Sequence, residues 1–301
     1  MNIIRHKKIF FIISSLLVVA SIVLVAVKGI PQSIEFKGGA LLEVLYTDSV
    51  PTLDEVRLAV EQLELGYTII QPTGDTGYII KSRDLTELQR ETLLQALSLE
   101  NTHPVETKTF TSIGPSVGKE LKNKAIISII LVVLSIILFV AYAFRKVSQP
   151  VSSWKFGVAA VLSLVHDVII TTGAFAVFAI VFGAEMDVLF VVALLTVLGV
   201  SVNDTIVVFD RVRENIEHNV KEKLNKTFET VVGESISQTM ARSVNTSLTV
   251  VLVLLALYFF GPTTTKIFSL TMTVGMLIGT FSSIFLASPL LVVWQQMQDK
   301  K

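Results

Sequence analysis

Apolar and polar positions fall along this chain in long blocks rather than in the short alternation of a soluble protein. Six stretches are almost wholly apolar: residues 9–27, 125–144, 156–182, 188–209, 244–260 and 267–293. A helix needs about 20 such residues to cross a ~30 Å hydrocarbon core at ~1.5 Å per residue. Each stretch is therefore predicted to span a membrane; the fifth is the shortest, and a start before Asn245 would lengthen it. The first has basic residues ahead of it, as a signal peptide does. It is longer than a usual signal core, and Val25-Ala26-Val27 is a poor cleavage site, so it reads as an uncleaved anchor.

Between the first two blocks the period changes. Residues 34–46 read as a strand interrupted by Gly38-Gly39, and Thr52 with Glu55 forms a capping box that opens a helix carrying Val56, Val60 and Leu63. Two further strands at 67–71 and 78–81 flank a turn at 72–77. A second helix is predicted over 85–97, with Asp84 and Glu87 placed as its cap, and a last strand over 105–110. The order β-α-β-β-α-β is ferredoxin-like.

The expected architecture is an α-helical membrane protein of six transmembrane helices, with a small α+β ferredoxin-like extracytoplasmic domain between helices 1 and 2. Its parts are a cytoplasmic N-terminus and first helix at 1–30, the outer domain at 31–124, and a helix bundle at 125–301 with a cytoplasmic loop at 210–242. In that loop Phe228, Val231, Val232, Ile236 and Met240 recur at helical spacing, which predicts an in-plane connector on the membrane surface.

Composition supports the membrane reading: 51% of residues are hydrophobic and 17% charged, against about 25% charged in soluble domains. Basic and acidic residues balance at 25 each, which gives no sign of a nucleic-acid-binding surface. The absence of cysteine excludes disulfides, thiolate zinc sites and a catalytic thiol. His6, His103, His166 and His218 show no metal-ligand spacing, and no phosphate loop, nucleophile elbow or zinc-protease signature occurs. No cofactor, metal or enzymatic activity is expected.

The basic residues set the orientation. Arg5, Lys7 and Lys8, then Arg145, Lys146 and Lys155, then Arg211 to Arg242, then Lys300 and Lys301 fall on one side. The short loops opposite carry only Lys266, so both termini are predicted to be cytoplasmic.

Ionisable residues inside the apolar blocks are costly and persist where they meet a partner, a cavity or a proton path. His166-Asp167 lies ~15 Å into the third block. Adjacent helical residues point about 100° apart, so the two are expected on different faces, with Asp167 over Thr171. A polar clamp to a neighbouring helix explains this pair as well as a proton path does. Asn203-Asp204 lies near the end of the fourth block, with Asp204 ~7 Å inside it and too short to reach out. A buried carboxylate whose proton affinity depends on a nearby cation is what a proton-coupled switch requires. Arg242, before Asn245-Thr246-Ser247, is read either as a positive-inside anchor or as that cation. Asp210 to Glu214 reads as an interfacial anchor, and Gly275 and Gly279 as a Gly-x-x-x-Gly for close helix packing.

These residues together resemble the SecF family of export membrane proteins, over nearly the whole chain. The resemblance is carried in order by Phe36-Lys37-Gly38-Gly39, Gly114-Pro115-Ser116-Val117-Gly118, His166-Asp167, Val202 to Arg211, Arg242 to Ser247, and Gly279 to Pro289. It implies a transporter of the resistance-nodulation-division type that pairs with SecD and helps the SecYEG channel and SecA late in export. It further implies use of the proton-motive force, contact with the translocating polypeptide, membrane lipid and protons, and accessory partners such as YajC and YidC. Asp204 and Arg242 are the residues it associates with proton movement. The family's usual Gly-Tyr-Ser reads Gly199-Val200-Ser201 here, which removes a tyrosine hydroxyl. SecD motifs are absent, so a SecD partner is expected from another chain. The rival expectations are a proton-coupled exporter of small molecules or lipids, and a purely structural assembly subunit.

Overall fold

The computed structural model of this chain describes residues 3–99, 102–143 and 153–298. Phe144 and the basic residues Arg145, Lys146, Lys300 and Lys301 lie outside them. In chain order, after a 3-10 turn at Ile4–His6, the elements are α1 (Lys7–Lys28), the single turn α2 (Ile34–Lys37), β1 (Gly39–Tyr46), α3 (Leu53–Glu61), β2 (Ile69–Thr73), β3 (Gly77–Ser82), α4 (Glu87–Leu97) and β4 (Val105–Ile113). There follow α5 (Pro115–Ala143), α6 (Ser153–Phe182), α7 (Val188–Lys221), α8 (Phe228–Phe260), α9 (Thr263–Ser282), a π turn (Ser283–Ala287) and α10 (Ser288–Gln298). Among the described residues six helices are long and apolar enough to cross a membrane, the last running Thr263–Met297 through the π turn. The chain forms two compact units, Met1–Pro31 with Ser128–Lys301, and Gln32–Ile127.

In the second unit the strands lie in the order β2-β3-β1-β4, each pair antiparallel. Alternate residues of β1 (Ala40, Leu42, Val44 and Tyr46) point into one core with Val56 and Val60 of α3 and Leu93 and Leu97 of α4. Two details differ from the sequence expectation. Residues 34–37 form a helical turn capped by Ser33 rather than the start of a strand. Helix α4 is capped by Thr86, boxed with Gln89, rather than by Asp84 and Glu87, because the Thr side chain reaches back to the Gln89 amide while Glu87 already lies inside the helix. The Thr52–Glu55 box of α3 forms, with Thr52 N donating to Glu55 at 2.7 Å.

Gly38 explains why its motif needs glycine. Its φ is +80°, and a Cβ there would stand 2.8 Å from Pro115 Cα. A Cβ on Gly118 would meet Gly38 N at 2.8 Å. The two glycine-containing motifs on either side of the sheet are thus packed backbone to backbone.

In the first unit α7 has 34 residues and α8 has 33, each ~50 Å long and so longer than a membrane core. Both run on past the apolar blocks, so 210–242 is a helical hairpin rather than a surface loop. The turn is pinned by Asn219, whose Oδ1 accepts from Lys226 N at 3.0 Å and whose Nδ2 donates to Lys226 O at 3.1 Å. The stripe Val231, Val232 and Ile236 is buried against Phe209, Val212 and Ile216. It is a core stripe, which corrects the expectation of an in-plane connector: a helix continuous with a span cannot turn to lie flat.

Helix α1 packs on α6. A Cβ on Gly173 would stand 2.3 Å from Ser21 Oγ and 2.8 Å from Ser21 Cα. Just beyond the two helices, Met186 N donates to Pro31 O at 2.7 Å. Their C-terminal ends therefore lie together, and the helices run parallel.

Candidate functional site

Polar side chains from α6, α7, α8 and α9 meet inside the first unit. Asp167 of α6 is 0% exposed. Its Oδ2 accepts from Ser201 Oγ of α7 at 2.5 Å and from Ser282 Oγ of α9 at 2.8 Å. Its Oδ1 is 2.9 Å from His166 Nδ1. His166 and Asp167, expected on different faces of α6, nevertheless meet through their polar ends. Asp167 bonds α7 and α9 rather than Thr171, whose Oγ1 has no hydrogen-bond partner.

Asp204 of α7 is 4% exposed. Its Oδ2 accepts from Thr280 Oγ1 at 3.3 Å and from Ser247 Oγ of α8 at 3.5 Å, and these two hydroxyls also bond each other. Arg242, five residues before Ser247 on α8, is exposed and forms no ion pair with Asp204. Asn203 points away from this centre and is exposed. The site thus holds Asp204 and Asp167 in two separate hydroxyl cages and leaves Asn203 out.

The two cages share α7 and α9. Thr205 Oγ1 and Ser283 Oγ lie 2.8 Å apart, and both donate to Ser201 O, at 3.1 and 3.3 Å. Close approach of the helices makes this possible. A Cβ on Gly275 would meet Val197 Cγ2 at 2.3 Å, and one on Gly279 would meet Ser201 Cβ at 3.0 Å. Sequence reasoning missed Ser201, Ser247, Thr280, Ser282 and Ser283 as partners. A signal was present in the hydroxyl-bearing residues of the last span, but nothing in one sequence says which carboxylate each faces.

A carboxylate held by neutral hydroxyls gains hydrogen bonds without a compensating charge. Such a group can gain or lose a proton without breaking an ion pair. The arrangement is therefore compatible with proton uptake and release.

Comparison with known proteins gives the family and the fold. A family described as protein export membrane protein SecD/SecF, C-terminal, matches residues 94–297. The protein translocase subunit SecF of Thermobaculum terrenum is 39% identical over 98% of this chain and 94% of its own length. Those of Anaerolinea thermophila and Synechocystis are 35% and 34% identical over 98% and 100% of this chain, covering 94% and 96% of their own lengths. Among solved structures, SecDF of Thermus thermophilus, a translocon-associated membrane protein, superposes with a TM-score of 0.81 at 30% identity, covering 98% of this chain. A SecDF structure in a super-membrane-facing form gives 0.70, also at 30% identity, over all of this chain. The chain spans 39% of the length of each SecDF chain. By sequence over nearly its full length and by fold, the chain belongs to the SecF family of protein-export membrane proteins.

Proposed function

We propose that this chain couples the proton-motive force to late translocation of polypeptides, paired with a SecD-type chain in the bacterial inner membrane. Membership in the SecF family makes it an auxiliary subunit of protein export and a multi-pass membrane protein. The pairing draws on the SecDF structures, in which a chain of more than twice this length contains the matching part. The proposal extends to cytoplasmic termini, to a ferredoxin-like Gln32–Ile127 unit on the outer side, and to work beside SecYEG, SecA, YajC and YidC. A small folded unit tethered by spans at both ends suits a lever or a grip on an emerging chain.

The observation that carries proton coupling is Asp204, buried and held by neutral hydroxyls of α8 and α9, with Arg242 five residues before one of them on α8. Protonation removes the attraction between Asp204 and Arg242 and lets two packings of α7, α8 and α9 exchange. One charge crossing the membrane is worth about 2.3 kcal/mol per 100 mV, which biases a two-state element by more than about tenfold. The test compares wild type with Asp204→Asn in vesicles, with SecD-type partner co-expressed and protein levels matched, with and without a proton gradient. Loss of the gradient-dependent increment in the variant alone is the expected result. An unchanged increment would return Asp204 to a packing role.

A further inference from the structure

Buried polar atoms are almost always partnered, so each exception in a native fold calls for an explanation. Among the described residues, Ser14 Oγ, Ser163 Oγ, His166 Nε2 and Thr171 Oγ1 are four buried atoms without a hydrogen-bond partner, and Ser243 Oγ on α8 is a fifth. Ser14 is 3% exposed, Ser163 0%, and His166 6%. Three of the four lie on α6 at spacings of three to five residues, and the fourth lies on α1.

The helix register brings Ser14 to the level of His166. Ser21 and Gly173 touch, and α1 and α6 run parallel. Seven residues back on each helix, two turns or ~10.5 Å, stand Ser14 and His166. Ser163 lies one turn further back on the same side of α6. The tautomer follows from the cage. With the Asp167 carboxylate charged, His166 Nδ1 must carry the hydrogen it donates. The lone pair is then on Nε2, the buried ring nitrogen without a hydrogen-bond partner.

A dry seam would leave these groups at the full desolvation cost of unmade hydrogen bonds. A water molecule needs two to four polar partners, and this cluster offers them. We propose that water bound between Ser14 Oγ, Ser163 Oγ and His166 Nε2 makes His166 and Asp167 a second proton-binding pair, separate from Asp204.

The step balances simply. A proton from the bound water joins Nε2, and the Nδ1 proton passes to Asp167 Oδ1. The products are a neutral imidazole carrying Nε2–H, a neutral carboxylic acid, and a water that regains from bulk solvent the proton it gave. Loss of the charge on Asp167 weakens the bonds it accepts from Ser201 and Ser282, so uptake on α6 is felt directly on α7 and α9. Among the charged groups on the elements packed against α6, α7 carries Asp204 and, towards its end, Asp210, Arg211, Arg213, Glu214, Glu217 and Lys221; Lys7, Lys8 and Lys28 sit at the ends of α1, Lys266 in the first turn of α9, and α10 has none up to Gln298.

This inference rests on proton coupling as the function, but its test does not pass through export. The full chain carrying His6→Gln, His103→Gln and His218→Gln keeps one histidine, which can be labelled with 15N and placed in lipid nanodiscs. The expected result is an Nδ1–H tautomer whose Nε2 responds to bulk pH and exchanges with solvent. Ser14→Val should slow that exchange about tenfold, the loss of one water-held hydrogen bond, while Ser14→Thr, which keeps the hydroxyl, should restore it. An Nε2 signal deaf to bulk pH, or exchange equal in wild type and Ser14→Val, would overturn the proposal and leave the Asp204 reading standing. A hydrated His166 together with a harmless Asp204→Asn would do the reverse.

Discussion

The seam between α1 and α6 gives the sharpest mechanical test of the fold. Helix α1 is exposed along much of its length, and its backbone comes close to α6 where Gly173 meets Ser21. In Gly173→Ala the new methyl would stand 2.3 Å from Ser21 Oγ, 2.4 Å from its Cβ and 2.8 Å from its Cα. Rotation of the hydroxymethyl group relieves the first clash only. The backbone carbon of Ser21 would still lie about 0.6 Å inside ordinary van der Waals distance of the methyl, so the helices must part along their seam. Overpacking of this kind costs about 1–3 kcal/mol, and in lipid close packing of small residues is the main force that could be lost. The assay is unfolding in mixed micelles by added SDS, followed by the fluorescence of Trp154 and Trp294, whose rings meet edge-on at 5.5 Å. Gly173→Ala should lower stability by that amount. Adding Ser21→Gly removes the clashes with Oγ and Cβ and leaves the one with the backbone, so it should recover part of the loss, with a coupling of about 0.5–3 kcal/mol. A Gly173→Ala protein as stable as wild type, or a loss that Ser21→Gly leaves untouched, would refute the packing argument.

Two further outcomes concern the sheet-containing unit. Thr52→Ala removes the α3 capping box and should cost about 1 kcal/mol, seen as faster hydrogen exchange across α3 with β1 little changed. Burial first, and Tyr78 second, push the Tyr46 phenol up to about 12, and its hydroxyl donates to Leu97 O at 3.0 Å. Because the fold favours the neutral phenol, its contribution is complete below about pH 10. It is lost as pH rises from there towards 12. Tyr46→Phe should shrink this alkaline loss of structure in a circular-dichroism titration, and an unchanged loss would place its cause elsewhere.

The spans were legible because lipid imposes a length and a composition that almost nothing else imitates. The capping box at Thr52 was legible because it is local. What escaped was decided at a distance. Val231, Val232 and Ile236 have the same stripe whether they meet lipid or Phe209 and Val212. Only the hairpin of α7 and α8 tells which. The same limit applies to the site. Asp204 and Asp167 stand out as charges in apolar blocks, yet the hydroxyls that hold them come from three other helices. The contact of His166 with Asp167 escaped because helical geometry fixes where Cβ points and leaves the ring two torsions with which to return.

The π turn at Ser283–Ala287 gives the last span one residue of slack. Such a turn holds one residue more than an α turn of the same reach. Drawing that residue into the α ladder would turn everything beyond it by about 100° and shift it by ~1.5 Å, at the expense of a few local bonds. Leu291 and Val292, now fully buried, would hand their places to neighbours, and Ser283 would swing away from Thr205. The slack sits beside both carboxylate cages, where Ser282 and Thr280 bond Asp167 and Asp204 and the π turn begins one residue later.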